Sequence, residues 1–315
     1  MKILSWNCRG LGNPRTVQDL CLIVKEKKPN IVFLMETKLI SVKTEWLKSR
    51  VGFQNCFVVD PMGLGGGLIL FWDMEVELEV YNYSQRHINS WITDRDSKFS
   101  WLLTGFYGHP EVHKRQETWR MLESFKPSKE EGWCVLGDFN EIVMDAEKEG
   151  GRPRKESQMD SFREALEVCE LHDVGWRGNR FTWSNKHSDE TFTKERLDRA
   201  VVNSSWNDTY AGRELEILVS RCSDHKPILL CCKKPTSLER LNSMGFKYEA
   251  SWALEEGCRN VIEAEWKKGV EMRNTGLRIQ SLLEKCSVAL RKWNRHLIKD
   301  RGKAILEKTA SLKQL

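Results

Sequence analysis

An unbroken apolar run, Trp133 to Leu136, halts at Gly137 and is followed by Asp138 and Asn140 with one residue between them. The run reads as a buried strand, and side chains two apart on an extended backbone share a face. Asp138 and Asn140 are therefore expected to point together off the end of a core strand, a carboxylate beside a carboxamide. Phe139, on the opposite face, is expected to pack inward. Taken alone, the stretch also reads as a Gly-Asp turn closing a strand, with Asn140 as a cap. The rest of the chain decides between the two.

The same arrangement recurs from the first residues. Residues 2–6 alternate like a strand and end at Asn7, before a loop dense in turn residues, Cys8-Arg-Gly-Leu-Gly-Asn-Pro14. Val17, Leu20, Cys21 and Val24 recur at helical spacing over 16–28, Pro29 stops that helix, and the apolar run 31–35 delivers Glu36. This strand–helix–strand opening places Asn7 and Glu36 at the C-terminal ends of core strands, where functional groups gather in α/β architectures.

A short helix is expected over 44–51, and strands over 55–59, 68–72, 76–83, 88–93 and 100–107, the last ending in Tyr107. Gly63-Leu-Gly-Gly-Gly67 is no P-loop, because it lacks Gly-Lys-Ser/Thr and leads into a strand. Helices follow over 111–125 and 159–169, a basic loop over 150–155, a turn over 174–178 and a strand over 181–185. The polar residues 186–194 read as a hairpin tip, the return run 196–202 carries Asp198, and Ser223-Asp-His-Lys-Pro227 precedes a last strand over 228–232. From about 236 the pattern changes. Ile279, Leu282, Leu283, Cys286, Leu290, Trp293 and Leu297 form one apolar stripe on a basic helix.

A length of 315 residues suits one large domain or two smaller ones. Residues 236–315 hold 16 Lys and Arg against 10 Asp and Glu, whereas 1–235 hold 34 against 35. The body is near neutral and the tail basic, which is compatible with a polyanion partner. The expected division is a domain over 1–235 and a basic helical extension or truncated linker over 236–315. The ten cysteines include no C-x2-C pair, and Cys21, Cys134 and Cys169 sit in apolar runs as small hydrophobes. The expectation is a reduced, intracellular protein without structural zinc. No run approaches the roughly 20 apolar residues that span a bilayer, and Met1-Lys-Ile-Leu-Ser-Trp6 does not read as a signal peptide.

Asn7, Glu36, Tyr107, Asp138, Asn140, Asp198, Asp224 and His225 all fall at strand ends. Each has a plain reading as a turn residue or solvated charge. Together they supply what metal-assisted phosphodiester hydrolysis requires. Glu36 is a hard oxygen donor of the kind Mg²⁺ prefers, and Asp138 can orient or deprotonate a water. His225 positioned by Asp198 can stabilise or protonate phosphate oxygens.

Leu4-Ser-Trp-Asn7, Met35-Glu-Thr-Lys38, Gly105-Phe-Tyr107, Gly137-Asp-Phe-Asn140, Arg196-Leu-Asp198 and Ser223-Asp-His-Lys-Pro-Ile228 resemble, in order, the motifs of the endonuclease/exonuclease/phosphatase superfamily. The opening Ser5-Trp-Asn-Cys-Arg-Gly-Leu-Gly-Asn-Pro14, with Phe181-Thr-Trp-Ser-Asn185, is most similar to the N-terminal endonuclease of plant LINE-type (non-LTR) retrotransposon polyproteins. The resemblance implies an α/β fold, a four-layer sandwich of two mostly antiparallel sheets flanked by helices, here with a C-terminal helical extension. It implies Mg²⁺, or Mn²⁺ in its place, held by Glu36 with Asn7 and Asp224 near it. Tyr107 would contact the scissile phosphate, Asp138 and Asn140 handle the water, and Asp198 with His225 face the phosphate. The implied activity is nicking of DNA to leave a 3′-hydroxyl, in the nucleus, with any reverse transcriptase downstream of Leu315.

Arg9 stands where abasic-site repair relatives carry an acidic residue, and Pro110 where an Asn often follows the family Tyr. The first argues against a repair enzyme. Arg152, Arg154, Lys155, Arg177, Arg180 and Lys186 are the candidates for DNA phosphate contact. Two alternatives stay open: a nucleic-acid-binding remnant without activity, and an RNA deadenylase or other phosphoesterase of the same fold.

Overall fold

The computed structural model describes residues 1–233 except 64 and 95–98, and residues 252–253, 255–268, 279, 282–283, 285–287, 289–290 and 292–294. Backbone contacts divide the chain into two units, Met1–Ser243 and Met244–Leu315.

The first unit begins with β1 (Lys2–Asn7), α1 (Pro14–Lys27), β2 (Ile31–Met35), α2 (Ser41–Val51), β3 (Asn55–Val59) and β4 (Leu68–Trp72). It continues through β5 (Glu77–Ser84), β6 (His87–Thr93), β7 (Ser100–Tyr107), α3 (Arg115–Glu123) and β8 (Gly132–Asp138). Then come β9 (Lys148–Glu149), α4 (Glu156–Val168), β10 (His172–Asp173), β11 (Trp183–Ser184), β12 (Lys194–Glu195) and β13 (Asp198–Val202). The unit closes with α5 (Ser204–Thr209), β14 (Glu214–Ile217) and β15 (Ile228–Cys231).

Two six-stranded sheets run β14-β15-β1-β2-β4-β3 and β10-β13-β8-β7-β6-β5, and a small sheet runs β11-β12-β9. Among the described residues, the strand pairs β1–β2 and β7–β8 of the two large sheets are parallel and their other strand pairs antiparallel. Each parallel pair is joined through a helix, as a parallel crossover requires. Alternation along the strands fills both sides of each sheet. Ile3, Phe33, Met35, Leu103, Leu136, Ala200 and Leu230 meet in the seam between the sheets. Leu4, Trp6, Val32 and Leu34 face outward with Val17 and Leu20 of α1 and Leu47 of α2. Trp133, Val135 and Val201 face the other way, against Trp119 and Leu122 of α3 and Phe162 of α4. The result is the α/β sandwich of two mostly antiparallel sheets flanked by helices.

In the second unit α6 (Glu256–Lys268) follows the buried Trp252, whose ring meets Trp293 edge-on at 5.9 Å. Of the apolar stripe expected there, Leu282, Cys286 and Leu290 are buried while Ile279 and Leu283 are exposed. Leu297 lies outside the described residues.

Three expectations need correction. Gly137 does not break its strand: β8 continues to Asp138, with Gly137 at φ 150° and so close to β7 that a side chain there would meet the Phe106 carbonyl oxygen at 1.9 Å. The 111–125 helix divides into a 3-10 turn, Val112–Lys114, and α3. The 181–185 strand shrinks to the two residues of β11.

Candidate active site

Parity along the strands delivers the site. Asn7 follows Ile3 and Ser5 on the seam side of β1, and Met35, just before Glu36, ends the seam face of β2. Tyr107 ends β7 on the same side as Trp101 and Leu103, and Asp138 ends β8 on the side of Cys134 and Leu136. Asp198 begins β13 directly opposite Asp138 in the antiparallel register. Residues two apart share a face, so the alternation that builds the apolar seam also brings these polar ends together. Glu36 then leaves the strand with a left-handed backbone, φ 51°, and Asn140 does the same at φ 55°.

A hydrogen-bonded chain crosses the seam. Tyr107 donates its hydroxyl to Glu36 Oε1 at 2.7 Å. The Asn7 amide nitrogen donates to Glu36 Oε1 at 3.3 Å and to Asp138 Oδ2 at 3.0 Å. Asn140 donates its side-chain amide to Asp138 Oδ2 at 3.2 Å and to the Gly108 carbonyl at 3.0 Å. His225 Nδ1 lies 2.9 Å from Asp198 Oδ2, and its Nε2 lies 3.7 Å from Asp138 Oδ2. Thr182 Oγ1 accepts the Asp198 backbone N–H at 2.9 Å, fixing the strand end behind the pair.

Burial and charge set the protonation of this cluster. Burial lifts the Asp138 carboxyl to about 6, and the Asp198 charge adds to it against the pull of His225. For His225 burial works against the charged ring, but Asp198 and then Asp138 outweigh it and raise the imidazole to about 9. Tyr107 is pushed far up by burial and then by the Glu36 charge, so its hydroxyl keeps its proton and donates. Around neutrality the cluster therefore holds an imidazolium between two carboxylates.

Two groups of side chains could hold a cation. Asp138, Asp198 and His225 offer ligand atoms within 4.8 Å of one another. Both imidazole nitrogens there face carboxylates, however, and a metal-ligating His must be neutral, so this trio fits a proton better than an ion. Glu36 and Asp224 form the second group. The guanidinium of Arg9 lies between them, with Nε 3.7 Å from Glu36 Oε2 and Nη1 3.5 Å from Asp224 Oδ2. Glu36 and Asp224 are partly exposed and offer the hard carboxylate oxygens that Mg²⁺ or Mn²⁺ takes, so they could seat a divalent cation in place of the guanidinium. Asn7 borders this seat, and its Oδ1, which accepts the Arg9 backbone N–H at 3.3 Å, keeps a second lone pair for an ion.

The family model described as endonuclease/exonuclease/phosphatase matches residues 4–225. The chain belongs to that family. Its members are phosphodiesterases and nucleases, typically dependent on a divalent metal. The endonuclease domain of TRAS1, a telomere-specific non-LTR retrotransposon, superposes with a TM-score of 0.54 at 15% identity, over 75% of this chain and 99% of its own. The abasic endonuclease of Leishmania major gives 0.58 at 16% identity, over 74% and 88%. A 3′-5′ exonuclease of Neisseria meningitidis gives 0.58 at 17% identity, over 74% and 100%. No curated protein matches the chain. Among the described residues no helix is long and apolar enough to cross a membrane.

The endonuclease/exonuclease/phosphatase fold places the candidate DNA contacts unevenly. Arg152, Lys155 and Arg180 are exposed, and Arg177 is exposed but paired with Glu214 at 2.8 Å. Lys186 donates to the Ser223 carbonyl at 2.7 Å, which ties the hairpin tip to the loop carrying Asp224 and His225. Arg154 belongs elsewhere: its side chain is 15% exposed and held by Glu195 at 2.5 Å and Glu141 at 3.3 Å, so it braces the fold instead of facing a phosphate. Sequence reasoning missed Trp183, whose indole N–H donates to Asp224 Oδ2 at 3.0 Å, and saw Arg9 only as a departure from pattern. A Trp two residues from the end of an expected strand was the available signal for the first. The second had none, because Arg9 reaches Asp224 across the whole length of the domain.

Proposed function

We propose that the chain is a divalent-metal-dependent DNA endonuclease of plant LINE-type retrotransposon origin, which nicks one strand to leave a 3′-hydroxyl. The observation that carries this reading is the chain of hydrogen bonds from Asp138 through Asn7 to Glu36 and Tyr107, extended by the ion pair of Asp138 with the His225 ring that Asp198 holds. It puts a base, an imidazolium and a cation seat side by side. Glu36 and Asp224 would hold the ion, which when bound neutralises charge on the phosphate. Asp138, raised toward neutrality by burial, takes a proton from the attacking water. Asn7 and Asn140 hold its carboxylate by donating to it. The His225 imidazolium faces the charge that builds on the phosphate oxygens, and Asp198 fixes the ring. Tyr107 keeps Glu36 aimed through its hydroxyl.

The likeness to the TRAS1 endonuclease domain supports the retrotransposon reading. A DNA partner, a nuclear location and a reverse transcriptase working with this domain follow from it. Of the predicted contacts, Arg152, Lys155, Arg177, Arg180 and Lys186 remain the DNA-facing set.

The test is nicking of supercoiled plasmid with Mg²⁺ by the wild type, Glu36→Ala and His225→Ala. Open circles formed by the wild type and lost in both variants support the reading. Equal nicking by all three proteins, or none by the wild type, overturns it.

A further inference from the structure

Resting on that reading, we propose that Arg9 is a substrate-operated gate on metal occupancy: it competes with the divalent ion for Glu36 and Asp224, and a DNA phosphate draws it away. The guanidinium lies within 4 Å of both carboxylates, 3.7 Å from Glu36 and 3.5 Å from Asp224. Those are the two acids that converge on the cation seat. A divalent ion bound by both would share their oxygens with a second positive charge, so ion and guanidinium disfavour each other.

The side chain has somewhere to go. It is 49% exposed, and its backbone, at φ 52°, is tied to the Asn7 side chain, which leaves the exposed stem room to swing about a fixed root. Arg9 also lines a cavity of about 570 Å³ with Glu36, Lys38, Gln85, Arg86 and Tyr107. Lys38 is exposed there, and the Arg86 guanidinium sits 5.0 Å over the Tyr107 ring. Swinging off Glu36 into that cavity with no anion present would bring Arg9 toward two further cations, Lys38 and Arg86. A nucleic-acid phosphate entering the cavity reverses the balance, because it attracts all three. Metal binding and DNA binding are then linked, and each tightens the other by the same factor.

The measurement is Mn²⁺ affinity of the EDTA-stripped full chain, read by electron paramagnetic resonance of the free ion. It is made with and without a phosphorothioate duplex that resists cleavage. Wild type, Arg9→Met, Arg9→Lys and Glu36→Ala are compared. Without DNA, Arg9→Met is expected to bind Mn²⁺ about tenfold tighter than the wild type, within the usual span of such couplings, and Arg9→Lys to behave as the wild type. The duplex is expected to tighten binding to the wild type and not to Arg9→Met, and Glu36→Ala to lose the site. If Arg9→Met does not fold, Arg9→Gln takes its place. Equal or weaker Mn²⁺ binding by the uncharged variant, or an equal effect of DNA on both proteins, overturns the gate. So does a site that survives Glu36→Ala. Plasmid nicking by the wild type alongside any of these leaves the nuclease reading standing; the expected Mn²⁺ pattern without nicking leaves the gate standing and removes the nuclease.

Discussion

Asp138 and Asp198 are direct partners in the antiparallel ladder of β8 and β13, and the imidazole of His225 lies between their carboxylates. Two buried acids facing each other would repel, and the ring between them is what makes the pair tenable.

That relationship sets a pH dependence for the metal-free protein. The His225 imidazole, ordinarily near 6.5, is raised to about 9 because Asp198 and Asp138 outweigh its burial. Its stabilisation is therefore complete below 6.5 and lost as pH rises through 9. Asp138 is raised from 3.8 to about 6, chiefly by burial, so its share is present below 3.8 and gone above 6. Urea unfolding in EDTA is expected to show stability falling between pH 6.5 and 9. Asp198→Asn is expected to flatten that window, and a fall of unchanged size in the variant would count against the assignment.

Tyr107→Phe keeps the ring and removes only the hydroxyl that donates to Glu36. Activity is expected to drop about 10- to 100-fold, as for other partners of metal-bound carboxylates, with the urea midpoint nearly unchanged. Plasmid nicking and unfolding on the same preparation check both halves.

Trp183→Phe likewise removes one donor, the indole N–H on Asp224. Mn²⁺ affinity is expected to weaken about tenfold while far-ultraviolet circular dichroism stays the same. Unchanged affinity would make the contact incidental.

Gly137→Ala tests the close approach of β7 and β8. The added methyl would meet the Phe106 carbonyl oxygen at 1.9 Å on a backbone at φ 150°. A loss of about 3 kcal/mol or more is expected by urea unfolding, since neither backbone can yield without breaking the ladder.

Arg199 is fully buried, 2.7 Å from Glu147 and 3.1 Å from Asp173, and Arg196 shares both acids. Arg199→Met strands buried charge and is expected to cost about 3–5 kcal/mol. Denaturation with an unchanged m-value is the check.

Four strands were legible to the residue: β2 and β4 are continuous apolar runs, and β3 and β7 lie where the β pattern put them. The polar residues at those ends were legible for the same reason, because period-two alternation tells which of them share a face. The Gly137 reading failed because a local rule, glycine as breaker, ignored the neighbouring strand that demands it. Strands of two residues such as β9 and β10 have no period to detect, and Glu214-Leu-Glu-Ile217 is a strand because β15 lies beside it. The ion pairs of Arg154, Arg196 and Arg199 join residues far apart in the chain. A lone basic residue carries no mark of the acid it will meet.

The inward alternation of β8 and β13 has a consequence for copies of this chain that fold imperfectly. A slip of one residue between those strands would turn Asp138 toward the helices and bury it against Trp119 and Phe162, while Cys134 and Leu136 would leave the seam. Catalytic alignment and a sound interior therefore stand or fall together. A miswound chain loses the Asp138–His225–Asp198 cluster by the same error that miswinds it.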